Sequence, residues 1–256
     1  MRKSFAVAVA SVACSALVAA GCTSTSSGTG DKNTTPAGKS SAASAPAGSS
    51  SASGNATIPV SDLGNKVSAA MKAATDFHMV GKGTDDQGKP VAFDIHFATH
   101  KTAGSVTEQG QRIELINLGG SSLYFKLPGA LWKQLEGADA ESKFAGKWVK
   151  VPAKETAFKP LEQAFDRQSF VGELLPGSTA DLKKSGPATV DGVAATKYVG
   201  SDGTQLFIAL SGAPVILKAV DPSSLGGSIT FSDYGRPYSF SEPSAGQTVD
   251  LSGIGH

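Results

Sequence analysis

The residues in this 256-residue sequence whose types could do chemistry lie mostly between positions 78 and 100. Asp94, His96 and His100 offer carboxylate and imidazole donors, the kind that hold a transition metal. Residues of like parity share one face of a strand, but at about 3.3 Å of rise per residue His96 and His100 stand about 13 Å apart. Zinc needs its nitrogen donors about 2 Å from the ion. That pair cannot chelate one, so the segment reads as a solvated strand face without a metal. His78, between Phe77 and Met79, reads as a hydrogen-bonded structural histidine. Gly83-Thr84-Asp85-Asp86-Gln87-Gly88-Lys89 fits the start of a phosphate-binding loop, but Pro90 stands where a Ser or Thr would hold magnesium, and two aspartates would repel phosphate. A hairpin turn explains the segment better. No Gly-x-Ser-x-Gly, His-Glu-x-x-His or Cys-x-x-Cys occurs. The pattern supports neither an enzyme nor a bound cofactor.

The remaining reactive candidate is Cys22. Arg2 and Lys3 precede an apolar run from Phe5 to Ala20, and Leu17-Val18-Ala19-Ala20-Gly21-Cys22 has the form of a bacterial lipobox, with Ala19 where Leu is commonest. A positive start followed by a short apolar segment ending in small residues is an export signal, too short for a membrane span. Residues 1–21 are therefore expected to be a signal peptide, and Cys22 to become the first residue and carry diacylglycerol. Cys14 would leave with the signal, which explains the single thiol that stays. Residues 23–57 contain no Val, Ile, Leu, Met or aromatic residue. Such a segment cannot offset its ordering entropy by burial, so residues 22–57 are expected to be a lipidated, disordered tether. The anchor would hold the protein to the cell membrane on its extracytoplasmic face without spanning it.

A folded domain is expected over residues 58–256. All aromatic residues except Phe5 lie there, enough for one core. The formal net charge of +1 leaves no basic stripe for nucleic acid. Val60, Leu63, Val67, Ala70, Met71 and Ala74 recur at helical spacing behind a candidate cap at Ser61 or Asp62. From Asp76 the period becomes two: Val91, Phe93, Ile95 and Phe97 alternate with polar or small residues. Strands are expected at 77–84, 91–97, 103–108, 111–118, 121–127, 147–151, 188–191, 193–199, 204–210, 215–221 and 228–234. Asp191-Gly192 marks a two-residue hairpin turn and Asp202-Gly203 the next. Short links between strands imply antiparallel pairing. Residues 156–184 read as helix or irregular structure, broken by Pro160 and Pro176. The expected class is α+β, a large curved antiparallel sheet over helices.

Several segments in order resemble the actinobacterial lipoproteins of the LppX/LprG type. They are the lipobox ending at Cys22, Asp76-Phe77-His78-Met79-Val80-Gly81, Leu123-Tyr124-Phe125 followed by Trp132, Val190-Asp191-Gly192-Val193, and Phe231-Ser232-Asp233-Tyr234-Gly235-Arg236-Pro237. The resemblance covers most of residues 60–245. It implies a LolA/LolB-like half-barrel with helices on its concave face and a hydrophobic cavity for acyl chains of lipids or glycolipids. Leu123, Phe125 and Leu127 share one parity on their strand, and Phe158, Leu161 and Phe165 are spaced to share a helix face. These six are the expected cavity lining, with Phe125 facing the trio. The alternative is a tethered envelope protein whose core is simply filled.

Overall fold

The computed structural model describes residues 54–251, apart from 86, 121, 153–157, 168–170, 172–180 and 223–226. Cys22, the expected signal and most of the expected tether lie outside the described residues. Helix α1 (Val60–Ala73) leads into strands β1 (Phe77–Thr84), β2 (Pro90–Phe97), β3 (Thr102–Glu108), β4 (Gln111–Asn117) and β5 (Ser122–Lys126). Helices α2 (Gly129–Glu136) and α3 (Ala138–Phe144), strand β6 (Trp148–Pro152) and helix α4 (Lys159–Ala164) follow. The chain continues as β7 (Lys183–Val190), β8 (Val193–Val199), β9 (Gln205–Ala209), β10 (Ile216–Asp221), β11 (Gly227–Ser232) and β12 (Thr248–Asp250). All twelve strands form one open sheet in the order β12-β6-β5-β4-β3-β2-β1-β11-β10-β9-β8-β7. Every pairing is antiparallel except β12 with β6. This is the α+β curved half-barrel class expected from the sequence.

One face of the sheet is buried along most of its strands. Phe77 and Met79 on β1 lie in register with Phe97 and Ile95 on β2, and Met79 with Phe231 on β11. Leu115 on β4 faces Phe125 on β5, which faces Val149 on β6. All belong to a single core that also takes Leu63, Val67 and Met71 from α1. The helix forms because its apolar residues recur every three or four positions and have this sheet to cover. Pro59 stands at its N-cap, so neither Ser61 nor Asp62 caps it. Its C-terminal carbonyls are closed by Arg167, whose Nη2 donates to the carbonyls of Met71 at 3.1 Å, Lys72 at 2.9 Å and Ala74. The same guanidinium lies over the Phe77 ring.

The β7–β8 turn follows the sequence: Asp191 and Gly192 both have positive φ, 47° and 83°, as a type I′ turn requires. The phosphate-loop look-alike is the β1–β2 turn, where the Asp85 carboxylate accepts from the backbone N–H groups of Gln87 and Lys89, both at 2.8 Å. Gly81 has a different reason to be glycine. A Cβ there would fall 2.1 Å from Cζ of Phe93, whose ring lies across it. The packed chain also begins before Ile58. Asn55 is buried, and its side-chain amide donates to the carbonyls of Ala209 at 2.9 Å and Gly212 at 3.1 Å.

Four elements depart from the sequence expectation. Helices α2 and α3 occupy the stretch between β5 and β6, burying Trp132, Ala140 and Phe144. Strand β7 begins at Lys183 instead of 188, because only its last residue is buried and the rest shows no apolar period. Strand β12 has three residues, too few to show one.

Candidate functional site

A cleft of about 820 Å³ lies between the end of α1, the β7–β8 turn, the β9–β10 turn and the segment leaving β11. Its size falls within the range of small-molecule sites, about 300–1,000 Å³. The space exists because α1 and its C-cap residue present only Ala70, Ala73 and Ala74 there, while Val193, Leu217 and Phe231 form an apolar wall across from them. Val193 is 49% exposed, a large apolar side chain left at the mouth. Tyr234 supplies a polar handle: its hydroxyl donates to the Ile216 carbonyl and lies 3.2 Å from Met71 Sδ. Burial pushes that hydroxyl well above the ordinary tyrosine range, so it stays protonated. At the rim Arg236 Nη1 pairs with Asp233 Oδ1 at 2.8 Å. An apolar wall with a charged rim suits an amphiphile.

The six residues expected to line a cavity are distributed differently. Phe125 and Phe158 meet: their rings stack with centroids 5.5 Å apart, and Trp132 tilts against Phe158 at 5.7 Å. Phe125, Leu127 and Phe158 are buried to 2% exposure or less. Leu123 and Phe165 border a second cavity of about 480 Å³, whose other walls include His100, Asn117, Glu162 and Arg167. Leu161 lies on α4, but its side chain is outside the described residues. Leu123, Phe125, Leu127, Phe158 and Phe165 do not border the larger cleft.

On the opposite face of the sheet β1 and β2 bring His78, Asp94 and His96 together. His78 Nε2 lies 2.7 Å from Asp94 Oδ1, and the His78 and His96 rings stack at 3.9 Å. Tyr238 stacks on the other side of His96, also at 3.9 Å. Burial pushes the His96 imidazole below its ordinary pKa, repulsion from His78 adds to this, and Asp94 and Asp233 oppose it. His78 is thus hydrogen-bonded as expected, but on the outer face beside a second histidine. His100 is elsewhere, at the second cavity.

The described residues thus form a curved, mostly antiparallel sheet with helices against it and an apolar cleft beside α1. Among the described residues no helix is long and apolar enough to cross a membrane. In structure the chain is similar to LprF from Mycobacterium bovis, at 16% identity and a TM-score of 0.48, over 73% of this chain and 97% of that one. LprF falls in the LppX/LprG lipoprotein family that the sequence motifs resemble. The chain is also similar to an uncharacterized conserved protein from Thermus thermophilus, at 14% identity and a TM-score of 0.32, over 74% of this chain and 97% of that one. A third similarity is to the Pseudomonas aeruginosa MucA/MucB complex, at 18% identity and a TM-score of 0.33, over 73% of this chain and 59% of that one. No family model matches the sequence, and no curated protein does.

Proposed function

We propose that this protein is a membrane-tethered extracytoplasmic lipoprotein, not an enzyme, that binds or transfers lipids or glycolipids by their acyl chains. The observation that carries the reading is the apolar cleft beside α1, with its small-residue helix wall and its charged rim. An acyl chain entering it is removed from water at about 0.8 kcal/mol for each buried CH₂, and no partner chemistry is needed. Of the six residues expected to line a cavity, Leu123 and Phe165 offer a second apolar wall at the cavity they share, while Phe125, Leu127 and Phe158 are packed core. The lipid on Cys22 keeps the cleft close to its source of ligand.

The test is native mass spectrometry of the lipoprotein purified from its own host, with the variant Val193→Asp beside it. Val193 is half exposed, so a carboxylate there costs little stability. At the mouth of the cleft it must be desolvated when a chain enters, which opposes binding. Co-purified lipid on the wild type and its loss from the folded variant are expected. No lipid-sized mass on either protein would overturn the proposal.

The close Phe125–Phe158 contact favours a second reading, an envelope interaction protein with a filled core. Crosslinking that recovers a stable protein partner from a lipid-free protein would select it.

A further inference from the structure

Strands β1 and β2 are paired so that His78 stands directly opposite His96 and Val80 opposite Asp94. Opposite residues on one face of an antiparallel pair have Cβ atoms about 4.5–5.5 Å apart, close enough for two imidazoles to reach one ion. Asp94 precedes His96 by two residues and so shares its face. One donor atom from each of the three lies within 4.8 Å of the others. Bonds of about 2.0–2.2 Å to a tetrahedral ion place donors roughly 3.3–3.6 Å apart. The closest pair, at 2.7 Å, must open slightly and the widest, within 4.8 Å, must close by no more than about 1.5 Å to meet this spacing. To bind one ion in plane the His78 and His96 rings, now parallel and 3.9 Å apart, must also rotate out of their stack, and Asp94, 60% exposed, is free to follow.

We propose that His78, Asp94 and His96 bind a divalent first-row transition-metal ion of the zinc, nickel or copper class on the outer face of the sheet. The surroundings of His78 supply an independent feature. Its Nδ1 lies 4.0 Å from Asp233 Oδ2, and Asp233 is itself held by Arg236 at 2.8 Å. A ligating histidine usually donates its other N–H to such a carboxylate, which sets tautomer and ring orientation. When the ion takes Nε2, the neutral ring carries its proton on Nδ1, facing Asp233. His96 is held between the His78 and Tyr238 rings. Two imidazoles and one carboxylate suit borderline divalent ions, whereas calcium and magnesium require oxygen donors. The remaining coordination positions are left to water.

The experiment is calorimetric titration of zinc chloride into the detergent-solubilised full-length lipoprotein, stripped with a chelator, near neutral pH. One ion per chain is expected. His78→Ala and His96→Ala should each weaken binding more than about tenfold, and Asp233→Asn by about tenfold through the lost orientation of His78. His100→Ala should bind as the wild type does, and magnesium should give no binding. Electron paramagnetic resonance of the copper-loaded wild type decides independently of any variant's folding: coupling to two imidazole nitrogens supports the site. Coupling to one or none, or unchanged zinc affinity in folded His96→Ala, overturns it.

Discussion

Phe158→Ala tests whether the layer between β5 and the helical insert is packed core or ligand wall. The ring is 1% exposed, stacked on Phe125 at 5.5 Å and tilted against Trp132 at 5.7 Å. Truncating a buried Phe in a close-packed site costs about 3–5 kcal/mol in transfer and cavity terms. One effect offsets part of this. Trp132 Nε1 is buried with no hydrogen-bond partner among the described residues, and an unpaired donor costs about 1–3 kcal/mol. If the space opened by the truncation admits a water to which Nε1 can donate, the loss falls near the lower bound, about 3 kcal/mol. For a domain of this size that is a drop of roughly 6–12 °C in Tm. Urea unfolding followed by tryptophan fluorescence should show a lower midpoint with an unchanged slope, since the surface exposed on unfolding barely changes. A loss below about 1 kcal/mol would refute the reasoning. It would mean that Phe158 faces accessible space, and lipid binding would then be lost with the ring while the fold stayed intact.

Cys22→Ser should release the protein from membranes into the soluble fraction, because the tether has no apolar side chain to hold it. A variant that stays bound through a high-salt wash would contradict the anchor. Gly81→Ala should destabilise by about 1–3 kcal/mol through overpacking, since the new methyl meets the Phe93 ring; an unchanged urea midpoint would show that the ring yields freely. Stability should fall as pH drops below about 6.5, the ordinary histidine value. His96 is held neutral in the fold, so there the unfolded chain takes up more protons, while above that value the contribution is complete and flat. His96→Gln in chelator-treated buffer should reduce that slope, and an unchanged slope would remove His96 as its source.

Period-two patterning made most of the sheet legible, because a sheet with one buried face demands apolar residues at alternate positions, as β2 shows with Val91, Phe93, Ile95 and Phe97. Asp191-Gly192 identified its hairpin because few residue pairs accept two positive φ angles. The expected export signal and the lipobox ending at Cys22 likewise rest on the chain alone, on composition and order. Tertiary structure decided the rest. Strand β12 exists because a returning segment pairs with β6, not because three residues prefer to extend. The cleft arises where the alanines of α1 pass over Leu217 and Phe231, residues distant in sequence. Spacing along one strand separates His96 from His100 by about 13 Å and argues against a shared ion. Register across two strands sets His78 against His96 instead, and hydrogen-bonded pairing, not local sequence, chooses that neighbour.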